Sequence, residues 1–251
     1  MISYFLNLPK DTIVDKKIDK KQFFERGNLS SSDKKQFTSD VEKVIWLNRI
    51  AQDTVNIRPL CDDVRDYTEI QVIEVALRKD AHIQKIADAV LSSLPYPIIA
   101  IFSMRGKIKI IAAHKRINQN DKSKLVTEEQ VRTKWLGEVS GAAEIMDMSK
   151  MSTANMFELY SDVMDSMQQF RLITEAGKDI GVSAEESKMI LADVERIDRE
   201  ISSLRSKLKE EDHFNRMVEL KEKIRKLRKE RSEILSVNSR PDPDDDVNIR
   251  D

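Results

Sequence analysis

Cysteine, glycine, proline and aromatic residues are all scarce in this chain of 251 residues. It contains one cysteine, six glycines and six prolines, and aromatic side chains make up 6% of it. A single cysteine excludes an internal disulfide and a cysteine-rich zinc site, and it fits a reducing compartment. We expect Cys61 to be a small buried hydrophobe or a bystander. The shortage of helix-breaking residues favours long helices and a modest core.

Long apolar runs are missing as well. No run approaches the roughly 20 residues that a membrane span needs, and the first residues, MISYFLNLPKD, lack the regions of a signal peptide. We therefore expect a soluble, cytoplasmic protein with no membrane contact. Charged residues are abundant instead. They form 35% of the chain, above the roughly 25% of a typical domain, yet the formal net charge is only −1.

The first 145 residues predict a small mixed sheet with flanking helices, of the α+β or α/β class. Apolar spacing predicts helices over 33–48 and 81–94, and β-branched residues predict a strand at 69–77. An apolar run, the turn MRGK and an alternating segment predict a β-hairpin after Pro97. Shorter strands are compatible with MISYFL, with TVNIRPL and with part of 118–145.

A charged helical region covers 184–236. Its apolar residues follow coiled-coil spacing in two frames, and the frame breaks inside EEDHFNRM, because Leu208 and Met217 are nine residues apart. An antiparallel coiled-coil hairpin explains the break, and Phe214 would then cover the end of its seam. A continuous dimeric coiled coil with a skip is the alternative. The two frames contain Val194, Ile197, Ile201, Leu204 and Leu208, and then Met217, Leu220, Ile224, Leu227 and Ile234.

The second arm of this region has a surplus of cations. One interpretation is a solvated face that pairs in part with the more acidic first arm. The other is a surface that contacts the phosphates of a nucleic acid. The cations are Lys221, Lys223, Arg225, Lys226, Arg228, Lys229 and Arg231.

Familiar catalytic motifs are missing from the chain. It has no phosphate-binding glycine-rich loop, no HExxH and no GxSxG. His82, His114 and His213 lie on different predicted elements without the spacing of metal ligands, so we expect structural or surface roles for them. No metal ion or cofactor is expected.

One arrangement is similar to the site of a restriction-type nuclease. Such cores bind Mg²⁺ through carboxylates, and a helix, a strand and a second helix surround the Glu69-Ile70-Gln71 segment in a comparable order. Glu69 and Gln71 should share one strand face, because side chains alternate along a strand. Further carboxylates could come from Glu42 and Asp63, or from neighbours of Asp63. A solvent-facing strand edge is the competing explanation.

Several segments resemble one known family. They are LPKDTIVDKKIDKKQFF, VEKVIWLNRIAQDTVNI, EIQVIEVAL, LPYPIIAIF and EEDHFNRMVELKEKIRKLRKE. Together they are similar to an uncharacterised prokaryotic family, domain-of-unknown-function family forty-three ninety-one. The resemblance implies no catalytic residues. It implies an association with Swi/Snf-type helicases and DNA methyltransferases in restriction or phage-defence clusters.

The sequence thus predicts four segments and one leading function. The segments are an α/β domain (1–145), a connecting helical region (146–180), the hairpin (184–236) and a disordered acidic tail (240–251). We expect an accessory or adaptor protein of a DNA-modification or phage-defence system, with a helicase or methyltransferase as its partner, rather than an enzyme. A Mg²⁺-dependent nuclease and a nucleic-acid-binding protein that uses the basic arm are the alternatives.

Overall fold

The chain divides into two compact units, Met1–Met167 and Gln168–Asp251. The computed structural model describes residues 3–26, 29–122, 124–137 and 145–237. The acidic tail predicted at 240–251 lies outside these residues, and the predicted division into four segments stays a prediction. The predicted fold class is confirmed, because a mixed sheet with helices is followed by a helical hairpin.

The strands of the first unit are β1 (Ile13–Ile18), β2 (Val41–Ala51), β3 (Leu60–Cys61), β4 (Asp66–Tyr67), β5 (Glu69–Leu77), β6 (Ile98–Met104), β7 (Lys107–Ile117) and β8 (Leu125–Arg132). Six of them form one sheet in the order β1-β2-β5-β6-β7-β8, while β3 pairs with β4. β5 and β6 are parallel and the other neighbours are antiparallel. The parallel pair requires a crossover connection, which here contains a helix.

The described residues form the helices α1 (Lys20–Arg26), α2 (Ser31–Asp40), α3 (Gln52–Val55), α4 (Ile83–Ser93), α5 (Met156–Ala176), α6 (Ala184–Glu210) and α7 (Phe214–Val237). α4 is the crossover between β5 and β6, and α5 continues across the boundary of the two units. Short 3-10 turns occupy Tyr4–Leu6, Lys10–Thr12 and Met148–Lys150. Within the described ranges, no helix is long and apolar enough to cross a membrane.

Several predicted elements are confirmed. β5, α4 and β8 lie where the sequence predicts a strand, a helix and a further strand. β6 and β7 form the predicted hairpin, and its turn uses Arg105 and Gly106 at φ values of 49° and 76°. Two successive residues with positive φ give the tight turn whose twist suits a two-residue hairpin.

The helix predicted over 33–48 is wrong beyond Asp40, where β2 begins. β2 pairs with β5 through a register that shifts at two places, between Val41 and Lys43 and between Trp46 and Asn48. Each shift inserts an extra residue, as a β-bulge does, so that buried residues recur at intervals of three instead of two. That spacing imitates the period of a helix.

Two smaller expectations are corrected, and one open alternative is decided. Tyr4–Leu6 forms a 3-10 turn rather than a strand, and the first two residues of the predicted strand or extended connection 54–60 belong to the helical turn Gln52–Val55. Cys61 is exposed, which leaves the bystander role and excludes the buried one. These segments are short, so their conformation depends on tertiary contacts more than on propensity.

Packing of α1, α2 and α4 against one face of the sheet builds the main core. Phe23 is fully buried and stacks on Phe37 with their ring centroids 5.5 Å apart. Ile86 and Val90 of α4 join Val75 of β5 in the same cluster. Stacked aromatic pairs add about 0.5–1.5 kcal/mol beyond the burial of their area. Phe23 therefore belongs to the core of the first unit.

In the second unit α6 and α7 pack as an antiparallel hairpin, as predicted. The reversal lies at residues 211–213, inside EEDHFNRM. Ile197 and Ile201 of α6 pack against Ile224 of α7. Nearer the open end, Val194 packs with Leu235. Because residues earlier in α6 pack against residues later in α7, the two helices run antiparallel.

Candidate functional site

Glu69 and Gln71 lie at the start of β5, a central strand of the sheet. They are 9% and 5% exposed, so the expected solvent-facing strand edge is wrong. Glu69 Oε1 accepts a hydrogen bond of 2.7 Å from Gln71 Nε2, which confirms that the two side chains share one strand face. A buried carboxylate is stable only when it is paired or hydrogen-bonded.

Arg49 of β2 supplies the charge that balances Glu69. Its Nε donates to Glu69 Oε2 at 2.7 Å, and its NH1 group reaches both oxygens of Asp53 at 3.0 and 2.9 Å. Hydrogen bonds from Arg49 to Glu69, then to Asp53, raise the pKa of the guanidinium. Both oxygens of Glu69 are thus engaged by donors from the protein, and the positive charge of Arg49 beside this carboxylate opposes the binding of a metal ion there.

The structure separates Glu42 from Glu69. Val41, next to Glu42, is opposite Leu77, whereas Glu69 is opposite Ala51. Glu42 and Glu69 are therefore about 25 Å apart along the strand, at roughly 3.3 Å per residue. Among the residues that the structure describes, no group of three or more His, Cys, Asp or Glu side chains is arranged to hold a metal ion.

Asp63 belongs to the exposed turn between β3 and β4. Its carboxylate is 3.8 Å from Lys122 Nζ. The turn lies beside the end of β7, because the Val64 carbonyl accepts a hydrogen bond of 2.7 Å from the Ile117 N–H. The structure thus brings Glu69 and Gln71 together, places Glu42 toward the other end of the β2–β5 pair, and leaves the Asp63 side chain exposed on its turn.

The three histidines lie in separate local pairs. His82 Nδ1 is 2.7 Å from the buried Asp40 carboxylate, and the exposed His213 Nδ1 is 3.0 Å from Glu211. His114 Nδ1 is 2.7 Å from the Tyr67 hydroxyl. Burial lowers the pKa of His114 and raises that of Tyr67 to about 12, so both groups stay neutral near pH 7.

Lys115 is a buried cation that the sequence prediction missed. It is 3% exposed, and its Nζ donates to the Leu94 carbonyl at 2.5 Å. Burial lowers the pKa of Lys115 to about 7. The alternation along β7 was the available signal, because Lys115 follows the buried Ile111 and Ala113 on the same strand face.

Cations on α7 are exposed, with one exception. Arg231 is half-buried, and it pairs with Asp198 at 3.0 Å and Glu175 at 2.6 Å. Lys226 and Lys229 are near carboxylates of α7 itself, at 4.0 Å from Glu222 and 3.5 Å from Glu233 respectively. Pairing across the hairpin therefore accounts for Arg231 but not for the exposed cations.

Of the seven cations between positions 221 and 231, four have no carboxylate within ion-pair distance in the described part of the chain. They are Lys221, Lys223, Arg225 and Arg228. At 100° per residue, Lys221, Arg225 and Arg228 lie within an arc of about 60° on one side of α7. We call these three residues the basic stripe. They are all exposed.

The prediction that Phe214, the first residue of α7, covers the end of the hairpin seam is wrong. Its side chain is 77% exposed. The tip residue Glu211 instead folds back, and its Oε1 accepts hydrogen bonds of 3.0 Å from the backbone N–H and from Nδ1 of His213. The tip is thus closed by polar contacts, and the ring of Phe214 projects into solvent.

Comparison with known proteins gives one result. Neither a curated protein nor a solved structure matches the chain significantly. The family model described as Domain of unknown function (DUF4391) matches residues 6–230, which include the sheet, α5 and most of the hairpin. Because this match extends over most of the sequence, the chain belongs to the DUF4391 family.

Proposed function

We propose that this protein is a nucleic-acid-binding accessory factor that acts through the basic stripe on α7. The observation that carries the proposal is the exposure of Lys221, Arg225 and Arg228 without a carboxylate partner in the described residues. A row of unpaired cations on a rigid helix attracts the phosphates of a nucleic acid and releases their counterions.

The charge of the helix as a whole supports this assignment. α7 contains eight Lys or Arg residues and four Glu residues, although the net charge of the whole chain is −1. Surface ion pairs contribute only about 0–1 kcal/mol, so stability alone gives little reason for such a local excess. A helical face that only has to be solvated could carry equal numbers of cations and carboxylates.

The proposed setting is a cytoplasmic DNA-modification or phage-defence system. We infer it from the association that the family resemblance implies, with a helicase or DNA methyltransferase as the protein partner. A non-catalytic role is supported by the contact between Arg49 and Glu69, which engages the carboxylate that a nuclease would use. We also propose that the hairpin seam has coiled-coil packing.

The test is a binding titration with three cations of the stripe replaced by a neutral residue of similar helix propensity. We expect the parent protein to bind a labelled 30-nucleotide probe with an affinity that falls steeply as salt increases. K221Q/R225Q/R228Q should bind more weakly, and the slope of log K against log salt should fall by about two, at roughly 0.7 per lost contact with a single strand.

A matched control removes three exposed cations from the first unit. K34Q/K35Q/K107Q changes the net charge by the same amount, and its binding and salt slope should stay close to those of the parent. Equal losses in both variants would show that only the total charge matters. Binding that does not depend on salt would contradict the proposal.

The partner is tested separately by purification from the native host. We expect a helicase, a methyltransferase or another nucleic-acid enzyme to be recovered with the tagged protein. Recovery without any nucleic-acid enzyme would argue against the accessory role, even if the stripe binds DNA or RNA.

A further inference from the structure

Phe214 has the most exposed large hydrophobic side chain in the described part of the molecule, at 77%, and Val218 one turn later is 47% exposed. A single exposed apolar residue is ordinary on a protein surface. Phe214 differs from such a residue because its position on α7 is aligned with the basic stripe. Phe214 lies in the same 60° arc of α7 as the basic stripe, about 20° from Lys221 at 100° per residue.

We propose that Phe214 stacks on an unpaired base while the basic stripe holds the backbone of the same strand. The ligand is then single-stranded nucleic acid, including a single strand that continues from a duplex. This inference rests on the proposed function and specifies its substrate class. Aromatic stacking combined with a positively charged track is the usual way in which proteins bind single strands without sequence preference.

The dimensions suit such a ligand. Phe214 and Arg228 are separated by fourteen residues, or about 21 Å along the helix axis. Roughly six stacked nucleotides cover that length at about 3.4 Å each. The basic stripe begins at Lys221, so the ring lies at one end of the track and the phosphate contacts follow it toward Arg228.

The charge of the tip favours contact with a base over contact with a phosphate. Glu210, Glu211 and Asp212 precede Phe214, and they repel phosphates at the reversal of the chain. A base is neutral, and its amino groups can donate to carboxylates. The tip therefore favours contact with an exposed base, whereas the stripe favours contact with the backbone.

A protein partner fits this surface less well. The exposed apolar group comprises two side chains, Phe214 and Val218, and cations and carboxylates surround it. Stable protein interfaces bury about 800 Å² on each partner and have an apolar centre without many charges. One projecting ring next to a row of cations meets the requirements of base stacking instead.

The experiment compares a single strand with a blunt duplex of the same sequence. The variants are F214A, F214L and F214W in the full chain. We expect F214A and F214L to bind the single strand roughly 5- to 100-fold more weakly, because stacking contributes about 1–3 kcal/mol per base. F214W should retain the affinity of the parent, and duplex binding should stay unchanged in all three.

A direct readout comes from the introduced indole. Addition of an oligothymidine strand should quench the fluorescence of F214W by more than that of the parent, which has only Trp46 and Trp135. Because Phe214 is exposed, its replacement should leave the circular dichroism and the melting temperature unchanged, so weak binding cannot be attributed to unfolding.

The two proposals can fail separately. If F214A and F214L bind the single strand as the parent does, the stacking role of Phe214 is overturned, while the salt dependence of the basic stripe stands. If the parent binds neither form of nucleic acid, both proposals are overturned. Equal losses on the single strand and the duplex would also overturn the stacking role.

Discussion

Lys115 makes the stability of the first unit depend on pH. Its pKa is about 7 in the folded protein and 10.5 in the ordinary state that approximates the unfolded chain. Between these values the unfolded chain binds a proton that the folded chain releases, so stability rises with pH, by at most about 1.4 kcal/mol per pH unit. Below pH 7 both states are protonated, and above pH 10.5 neither is.

The prediction is a difference in slope between the parent and Lys115→Met. From pH 7.5 to 9.5 the free energy of unfolding of the parent should rise by roughly 2 kcal/mol relative to that of the variant. Urea denaturation at both pH values measures it, and contributions from other groups cancel in the comparison. Parallel curves for the two proteins would show that Lys115 stays charged in the fold.

Substitution of Glu69 distinguishes a structural role of its carboxylate from a catalytic one. Glu69→Ala leaves the amide of Gln71 and the guanidinium of Arg49 without their buried acceptor, so we expect it to lower the free energy of unfolding by about 1–3 kcal/mol. Asp53→Ala removes the exposed partner of the same arginine and should lower it by less than about 1 kcal/mol.

The same variant tests the nuclease alternative. If Glu69 only balances the charge of Arg49, the parent and Glu69→Ala should show the same cleavage of DNA in the presence of Mg²⁺. Cleavage by the parent that disappears in the variant would establish a metal site at this carboxylate and displace the accessory role.

At the scale of elements, the sequence correctly predicted the helices and strands that local interactions determine. β5, α4 and the β6–β7 hairpin follow from β-branched runs, from a helical apolar face and from a turn that requires positive φ. β2 was misassigned, because bulges are set by pairing with β5 and have no signature in the sequence of β2 alone. A single chain contains no direct information on such distant pairings.

The candidate sites show the same limit. Alternation predicted that Glu69 and Gln71 share a face, but it did not reveal Arg49, whose contact depends on the register between β2 and β5. The reversal inside EEDHFNRM followed from the break in apolar spacing. The exposure of Phe214 did not follow, because it depends on the polar contacts of Glu211 that close the tip.

Arg231 links three helices of the second unit, through Glu175 of α5 and Asp198 of α6. We expect Arg231→Ala to lower the free energy of unfolding of this unit by about 1–2 kcal/mol, because it removes one charge-assisted bond from the largely buried Glu175 and another from the exposed Asp198. Arg228→Ala, three residues earlier and exposed, should change it by less than about 0.5 kcal/mol. Equal effects in a urea titration would refute the structural role of Arg231.

At the scale of the whole molecule, the charge is nearly balanced but unevenly placed. The formal net charge is −1, yet α7 has twice as many cations as carboxylates, and the last fourteen residues contain five Asp and two Arg. These residues follow α7 directly, and the stripe ends about 14 Å from Val237 at 1.5 Å per residue. Long-range repulsion from the tail should therefore oppose the approach of phosphates at low salt.

Deletion of residues 238–251 tests this balance, since it changes the net charge from −1 to +2. We expect the truncated protein to bind a single strand several-fold more tightly at ~0.01 M salt, where the Debye length is about 30 Å, and equally at ~0.3 M salt, where exposed charges are largely screened. A full-length variant with the five Asp residues changed to Asn should behave as the truncation does. If only the truncation tightens binding, chain length rather than charge is responsible, and if neither does, the stripe is insensitive to the tail.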